Sequence, residues 1–415
     1  MKIRMSDMTS STRLLVAAGL VTAGLLLAVA LGTSVCRRLL QSRASQTAIA
    51  NGPALDPVAN GITVVTYNTH LFKGSSSEVG FFFRNVAQNI KHFFSREGLL
   101  GLFTGQYHRK RTAPIVFDDD NRARLIADKI RASGADIVGL QEVWSYRRQQ
   151  WFCRELASAY PYCYNPAHPR LALRTTSGLV LLSRYKLTDL KFSAFPRKGR
   201  PFFHDENWAS KGVVTATVEA RPDGPTFRIG ISHACTDAGG SAQPNIRQIA
   251  SQTTTNHTGP AIMMGDLNVL DDRGEGKGEY ATMRGIFAAI DAIDAYLKVH
   301  GADAENACTV NKKENLLHRL FTTKTSVEDA NVRLDYVFVR ESGAGWRLKP
   351  EKAEVIRDWK YPVAAFHKYG HPHMSAPIDA PHSQDRTTGL HEPETILMDM
   401  SDHYPVKITF SVQRQ

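Results

Sequence analysis

Short apolar runs and amphipathic stretches alternate along most of the chain, and each pattern predicts its own kind of element. Residues 62–67 are rich in β-branched side chains and predict a strand that ends at Asn68. Apolar residues recur at helical spacing over 121–133, and after Gly134 the run 136–142 predicts a buried strand. Similar runs predict strands at 178–183, 212–219, 226–232, 261–265, 334–339 and 406–412. Helices are predicted near 150–159, 243–254 and 280–299.

The many strands and the few interspersed helices favour an α+β fold whose sheets lie at its centre. With 415 residues, 42% of them hydrophobic, the chain can bury a large core. The composition turns to Ser, Ala, Asn, Gly and Pro before residue 62, so we assign 37–61 as a linker. Since no internal repeat or second domain is visible, we predict one domain over 62–415.

An uncharged apolar run lies at 14–36, between basic residues on either side. As a secretory signal, it would be cleaved after the small residues at 28–30. As a membrane anchor, it slightly exceeds the roughly 20 residues that cross a bilayer. Arg37 and Arg38 favour retention as an anchor, whereas the small residues at 28–30 favour cleavage. Residues 1–36 are therefore either a signal peptide or a membrane anchor. Either way we expect the rest of the chain to be exported, and to be secreted or anchored to a membrane through 14–36.

Charge and cysteine content add two weaker indications. The formal charge of +11 predicts attraction to an anion, which nucleic acid, a phospholipid surface and a phosphate substrate would all satisfy. Four cysteines lie outside the apolar run, an even number that oxidising conditions could pair. Cys153 and Cys163 are close in sequence, but buried unpaired cysteines fit as well.

Polar residues of the types used in phosphoester chemistry lie at or next to the ends of the predicted strands. Any one of them could be a turn-former or a cap. Seven together are hard to explain as turn chemistry, because they supply a base, metal-binding oxygens and hydrogen-bond donors. The seven residues are Asn68, Glu142, His233, Asp266, Asn268, Asp335 and His403.

These residues belong to six short motifs: Tyr67-Asn68, Leu140-Gln141-Glu142-Val143-Trp144, Ser232-His233, Gly265-Asp266-Leu267-Asn268, Leu334-Asp335-Tyr336 and Ser401-Asp402-His403. In this order the motifs resemble those of the endonuclease/exonuclease/phosphatase superfamily. The resemblance covers 62–412, nearly all of the predicted exported part. It implies a four-layered α/β sandwich in which two central mixed β-sheets are flanked by helices.

The resemblance also implies a divalent cation, Mg²⁺ with Mn²⁺ as an alternative. Glu142 is a hard oxygen ligand suited to Mg²⁺, and Asn68 can complete the ligand set. Asp402 would bind the metal or brace the site.

The remaining site residues would perform in-line hydrolysis without a covalent intermediate. His403 would take a proton from the attacking water, and Asp335 would fix the tautomer of its imidazole. Asp266 would orient the water, while Asn268 and His233 would donate hydrogen bonds to the phosphoryl oxygens as charge builds.

Residues 208–213 resemble the Ala-Ser-Lys-Gly segment of neutral sphingomyelinases. Lys211 could bind the substrate phosphate, with Asp205 or Glu206 as the neighbouring acid; a solvated lysine at a strand start is the alternative. The signatures of inositol-polyphosphate 5-phosphatases are missing, because Val269-Leu270 and 334–337 stand in their place.

Two long segments carry further alternatives. Residues 79–103 interleave aromatic with basic side chains, and predict either contact with a lipid headgroup interface or an inserted helix packed on the core. Residues 357–398 contain five histidines, and His371-Pro372-His373 could hold a second metal. For the second segment we favour a solvated loop at the rim of the site, since no dependable spacing links the remaining histidines.

These patterns together predict a secreted or membrane-anchored, Mg²⁺-dependent phosphodiesterase of sphingomyelinase type. Its substrate partner would be a phospholipid membrane, and no protein partner is predicted. The main alternative is an exported endonuclease resembling deoxyribonuclease I, whose partner would be nucleic acid. An inositol-phosphate phosphatase and a non-catalytic surface-binding protein are the remaining alternatives.

Overall fold

A computed structural model describes most of the predicted domain in twelve segments: 48–50, 61–72, 118–166, 176–198, 209–220, 224–236, 242–271, 278–301, 307–311, 314–321, 331–364 and 395–415. All of them fall in one compact unit, Thr47–Pro166 with Arg174–Gln415. The predicted signal or anchor, most of the linker, the 79–103 segment, both acids before Lys211 and the histidine-rich part of 357–398 lie outside these segments. Among the described helices, none is both long and apolar enough to span a membrane.

The larger of the two central sheets has eight strands, and it is mixed because only one pair of neighbouring strands, Gly61–Leu71 and Ile137–Val143, runs parallel. In spatial order its strands are β1 (Ala48–Ala50), β4 (Tyr162–Tyr164), β5 (Val180–Ser183), β3 (Ile137–Val143), β2 (Gly61–Leu71), β18 (Val406–Arg414), β15 (Trp346–Val355) and β14 (Ser342–Gly343).

The second sheet has six strands and is also mixed, because Thr226–His233 and Ala261–Asp266 are its one parallel pair. In spatial order its strands are β10 (Ala292–Asp294), β13 (Asp335–Arg340), β9 (Ala261–Asp266), β8 (Thr226–His233), β7 (Gly212–Glu219) and β6 (Lys186–Ala194). Two short hairpins complete the described strands: β11 (Val310–Asn311) with β12 (Asn331–Val332), and β16 (Lys360–Ala364) with β17 (Thr395–Asp399).

Alternation of apolar side chains along the strands produces the layers. In β2, Val64 belongs to the core between the two sheets, and Val65 belongs to a second core on the outer face of its sheet. In β9, Met264 faces the first core and Met263 faces a third core on the opposite side of the molecule. The chain is therefore a four-layered α/β sandwich, as predicted.

Six described helices accompany the sheets. Residues of the first two pack in the outer core of the larger sheet, and residues of the next two pack in the outer core of the smaller one. In chain order the helices are α1 (Asp119–Ala132), α2 (Tyr146–Glu155), α3 (Ala242–Thr254), α4 (Glu279–Ala288), α5 (Ala295–His300) and α6 (Leu316–Phe321).

The two sheets approach each other closely at Gly139 in β3. A Cβ atom at this position would lie 2.8 Å from Ile231 Cγ2 and 2.9 Å from Met264 Cε, both on the facing sheet. Real Cβ atoms essentially never show such short contacts, so this glycine permits the observed spacing.

Two predicted elements are corrected. The strand expected to end at Asn68 continues to Leu71 through a bulge. The single helix expected near 280–299 is interrupted by β10, because Asp291 has a left-handed conformation (φ 58°) and Asp294 caps a new helix. The carboxylate of Asp294 accepts hydrogen bonds from the backbone N–H groups of Tyr296 and Leu297.

One cysteine pairing left open by the sequence is resolved. Cys153 in α2 and Cys163 in β4 form a disulfide with their Cα atoms 5.5 Å apart. Cys235 and Cys308 are thiols.

Candidate active site

Three of the candidate residues lie at one edge of the six-stranded sheet. His233 and Asp266 are the last residues of the parallel strands β8 and β9, and Asp335 is the first residue of antiparallel β13. The register places Asp266 opposite both His233 and Asp335. The three side chains are therefore neighbours because of strand direction and register alone.

The larger sheet contributes its residues to the same place. Asn68 in β2 donates a hydrogen bond from Nδ2 to Asp266 Oδ2 at 2.9 Å, which joins the edges of the two sheets. Ser401 Oγ donates to the carbonyl oxygen of Asn68 at 2.7 Å and so holds the loop that carries Asp402 and His403. The candidate site lies at the seam between the sheets.

A bulge shapes the site where β2 pairs with β3. The register moves from Asn68–Gln141 to Leu71–Val143, so two residues of β2 oppose one residue of β3. His70 (φ 49°) and Glu142 (φ 59°) both adopt the left-handed conformation there. Such strain in non-glycine residues is typical of functional sites. The bulge brings His70 Nδ1 within 3.5 Å of Glu142 Oε2 and within 3.3 Å of Asp402 Oδ1.

His403 and Asp335 form a buried acid–base pair. His403 Nδ1 lies 2.7 Å from Asp335 Oδ2, which is a short, charge-assisted hydrogen-bond distance. Burial alone would lower the pKa of His403, but the carboxylates of Asp335, Asp266 and Asp402 together hold that pKa well above its ordinary value. The imidazole is thus oriented by Asp335 and favours its protonated form.

The carboxyl group of Asp266 is placed by a glycine. Gly265 has φ 148°, and a Cβ atom there would lie 1.9 Å from the carbonyl oxygen of Ser232. Burial raises the pKa of Asp266 to about 7, although the charges of His403 and Lys211 and the hydrogen bond from Asn68 oppose the shift.

The pKa of Asp402 is shifted in the opposite direction from that of Asp266. Burial favours its neutral acid, yet the charges of His70, His403, His318 and Arg122 hold the pKa of this carboxyl at about 2. Asp402 is therefore a carboxylate at any physiological pH, as a metal ligand would need to be.

Lys211 and His233 lie together on the floor of the site. Lys211 Nζ is 2.9 Å from His233 Nε2 and donates to the carbonyl oxygen of Ala234 at 3.1 Å. Burial first, and then the charges of Lys211 and His403, lower the pKa of His233 well below its usual value. His233 is therefore neutral, and its Nε2 accepts from the Lys211 ammonium.

Asn268 lies in the site, and its backbone and side chain both donate hydrogen bonds to neighbouring groups. It has φ 50°, its backbone N–H donates to Asp266 Oδ1 at 3.0 Å, and its Nδ2 donates to the carbonyl oxygen of Ala234 at 3.0 Å. The structure thus brings together all nine residues predicted from the sequence, while their individual roles stay predictions.

Two site residues were not predicted from the sequence, His70 and Arg122. Arg122 is fully buried and donates to the carbonyl oxygens of His70 and Met400 at 2.5 and 2.8 Å, and to Asp119 Oδ1 at 2.6 Å. It therefore clamps the bulged end of β2 to the loop that carries Asp402. His70 could be predicted only by extending the strand beyond Asn68, because residues two apart in a strand point to the same side.

Two clusters of side chains could hold a divalent cation. The His70 cluster consists of His70, Glu142 and Asp402; the His403 cluster consists of Asp266, Asp335 and His403, whose ligand atoms lie within 4.8 Å of one another. Glu142 Oε2 and Asp335 Oδ1 are buried and have no hydrogen-bond partner among the described residues. Buried carboxylate oxygens of this kind are suitable ligands for a hard cation such as Mg²⁺ or Mn²⁺.

Comparison with known proteins fits this geometry. Residues 117–350 match the model of the Endonuclease/Exonuclease/phosphatase family. The chain belongs to this family. Its members hydrolyse phosphoric esters, typically with a divalent metal. No curated protein matches the chain when sequences are compared.

Solved structures share the fold of this endonuclease/exonuclease/phosphatase protein. Sphingomyelinase C from Streptomyces griseocarneus is 19% identical, with a TM-score of 0.51 over 85% of this chain and 99% of that one. A beta toxin mutant from Staphylococcus aureus with bound magnesium ions is 16% identical, with a TM-score of 0.52 over 84% and 99%. A family member from Bacteroides thetaiotaomicron is 15% identical, with a TM-score of 0.50 over 86% and 98%. At such identities the likeness shows the fold alone.

Proposed function

We propose that this protein is an exported, metal-dependent phosphodiesterase that hydrolyses sphingomyelin to ceramide and phosphocholine. The position of Lys211 carries the choice of substrate. Its ammonium is buried beside His233 in the candidate site, where it can bind a phosphate oxygen. Its sequence context resembles neutral sphingomyelinases, and the shared fold with a sphingomyelinase C supports the same choice.

The reaction would proceed by in-line attack of water on the phosphorus atom. His403 Nε2 and Asp266 Oδ2 are 4.0 Å apart, so both can contact one water molecule. When His403 is neutral, its Nε2 takes a proton from the water as the oxygen–phosphorus bond forms. Asp335 stabilises the resulting imidazolium through Nδ1. The bond from phosphorus to the ceramide oxygen breaks, and this oxygen takes a proton from solvent and leaves as the alcohol. The imidazolium of His403 then returns its proton to solvent.

The charged groups around this step offset the charge of the phosphate. Lys211 would bind a non-bridging oxygen, and the second Nδ2 hydrogen of Asn268 would donate to another. A divalent cation held by Glu142, Asn68 and Asp402 would supply the positive charge that stabilises the leaving oxygen.

Export and a membrane partner belong to the same proposal. The Cys153–Cys163 disulfide supports an oxidising compartment, as expected for a chain delivered by residues 14–36. A phospholipid membrane would be the substrate partner, and the proposal needs no protein partner.

An exported endonuclease is the second candidate. The formal charge of +11 favours it, because nucleic-acid binding depends on basic surface charge. The site chemistry would be the same, with a nucleotide phosphodiester in place of the lipid.

One paired assay tests the proposal. We expect the full-length chain, purified in detergent, to release phosphocholine from sphingomyelin micelles with Mg²⁺ or Mn²⁺ and to stop in EDTA. The His403→Asn variant should be inactive, whereas His300→Ala, at an exposed position, should retain activity. Cleavage of plasmid DNA without any lipid hydrolysis would reject the lipid substrate in favour of the nuclease.

A further inference from the structure

His70 stands between two carboxylates that the proposed function assigns to the metal. Its Nδ1 lies 3.5 Å from Glu142 Oε2 and 3.3 Å from Asp402 Oδ1, and its side chain is only 11% exposed. The sequence motifs assign this residue no role, and a metal site of oxygen ligands alone does not require it.

The backbone holds this imidazole in a strained position. His70 has φ 49°, its N–H donates to Asn68 Oδ1 at 3.2 Å, and its carbonyl oxygen accepts from Arg122 Nη2. The first hydrogen bond holds the peptide group before His70, and the second holds the peptide group after it. Strain of this kind in a non-glycine residue is typical of functional sites, and it supports a specific role for this imidazole.

The distances fit metal ligands better than hydrogen bonds. One N–H group donates well to one acceptor at about 2.7–3.2 Å, and His70 Nδ1 lies farther than that from both carboxylates. Adjacent ligands about 2.1 Å from one cation are separated by about 3 Å, or somewhat more when the geometry relaxes. Glu142 Oε2 is buried and has no hydrogen-bond partner among the described residues, as expected of an atom that binds an ion.

The His403 cluster differs in this respect. His403 Nδ1 forms a 2.7 Å hydrogen bond with Asp335, and Asp266 Oδ2 accepts a 2.9 Å hydrogen bond from Asn68. A cation ligated through His403 Nδ1 would have to break the first of these bonds. The His70 cluster contains no comparably short bond between its members.

We propose that His70 is a nitrogen ligand of the metal, beside Glu142 and Asp402, and that it shifts the preference of the site from Mg²⁺ towards Mn²⁺ and other first-row transition metals. Imidazole suits transition metals, whereas Mg²⁺ prefers carboxylate, carbonyl and water oxygens. This inference rests on the proposed function for the location of the metal, but it concerns binding and not turnover.

Electron paramagnetic resonance of the full-length chain loaded with Mn²⁺ tests it without any substrate. We expect electron spin echo modulation from a coordinated ¹⁴N nucleus in the wild type, and its loss in His70→Asn. Asparagine retains an oxygen ligand and tolerates the left-handed backbone at residue 70. In the same variant the ratio of Mn²⁺ to Mg²⁺ affinity should fall about tenfold or more.

His403→Asn is the matched control and should keep the ¹⁴N modulation. Absence of the modulation in the wild type would overturn the inference, as would its loss in His403→Asn together with its retention in His70→Asn. His70→Gln replaces the first variant if His70→Asn does not fold. A chain that shows the ¹⁴N signal but does not hydrolyse sphingomyelin would keep this inference and reject the lipid substrate.

Discussion

Three carboxylates surround the imidazole of His403, and their charge decides which form of this residue dominates. Because its pKa is held well above the ordinary value, the resting form in the metal-free protein is the imidazolium. Catalysis as proposed needs the neutral form. The same arrangement that orients the base therefore limits how much of it is available at neutral pH.

We expect the rate to follow this titration. Log kcat/KM should rise with pH through an apparent pKa above about 6.5, the ordinary histidine value. Asp335→Asn removes one of the raising charges, so the acidic limb should move to lower pH while the plateau falls about 10²–10⁴-fold. Initial rates of phosphocholine release between about pH 5 and about pH 10 measure both effects. An unmoved limb in Asp335→Asn would argue against His403 as the base.

The raised pKa of Asp266 leads to a separate prediction about the free energy of unfolding of the metal-free protein in EDTA. Its pKa rises from 3.8 to about 7 on folding, so the folded chain binds its proton more tightly than the unfolded chain. The stability from this group is therefore complete below the unfolded pKa and is lost as pH rises through about 7. Urea unfolding should show a free energy of unfolding that declines across this window. Asp266→Asn, which cannot titrate, should flatten the decline, and an equal decline in the variant would contradict the assignment.

At the scale of elements, helix α1 carries the residue that fixes the site loops. Arg122 lies on the buried face of this helix, and its guanidinium reaches backbone carbonyls from two segments that are far apart in sequence. Asp119, one turn earlier, accepts from this guanidinium and from the backbone N–H of Phe72. Helix, bulge and loop therefore form one unit.

Replacement of Arg122 should damage both stability and activity. We expect Arg122→Met to lower the free energy of unfolding by about 3–5 kcal/mol, because it removes one partner of the buried Arg122–Asp119 ion pair. Activity should fall further than the folded fraction does, since the positions of His70 and Asp402 depend on the clamp.

Arg131→Ala on the same helix is the control. Arg131 pairs with Asp128 and Glu155 at the surface, and exposed pairs contribute about 0–1 kcal/mol. Urea unfolding and phosphocholine release, measured on both variants, separate the two positions. Equal losses in the two variants would show that Arg122 is not a clamp.

The sequence predicted the elements whose burial is continuous. Strands β3, β9 and β13 were predicted because both of their faces are buried and their runs are therefore apolar throughout. Strand β15 was missed because its sequence is rich in charged residues and contains Pro350. The bulge after Asn68 was also missed, since Asn-Thr-His suggests a turn and no residue pattern reveals the extra residue. His70 therefore escaped notice together with its backbone.

At the scale of the whole molecule, the site depends on both sheets at once. Asn68 and Asp266 belong to different sheets, and one hydrogen bond joins them. The motifs could predict that these residues meet, because the family resemblance includes their order. They could not predict the spacing between the sheets, which depends on side-chain packing across the central core.

The disulfide should contribute to global stability outside the site. Cys153 and Cys163 are 10 residues apart, so loss of the bond should lower the free energy of unfolding by about 2–3 kcal/mol. A Cys153→Ser, Cys163→Ser double variant, compared with the wild type in urea with and without reductant, measures this. Reductant should destabilise only the wild type, and KM should not change in either protein. A reductant effect of equal size in the double variant would contradict the assignment.

Gly139 takes no part in the proposed chemistry, yet the geometry of the candidate site depends on its lack of a side chain. It has no side chain and carries no charge, yet one added methyl group would meet Ile231 and Met264 at once. Those neighbours lie in β8 and β9, which end at His233 and Asp266. A substitution here would act as a spacer between the sheets and would separate the residues that meet at the strand ends. The protein should therefore tolerate little evolutionary change at a position that takes no part in the proposed chemistry.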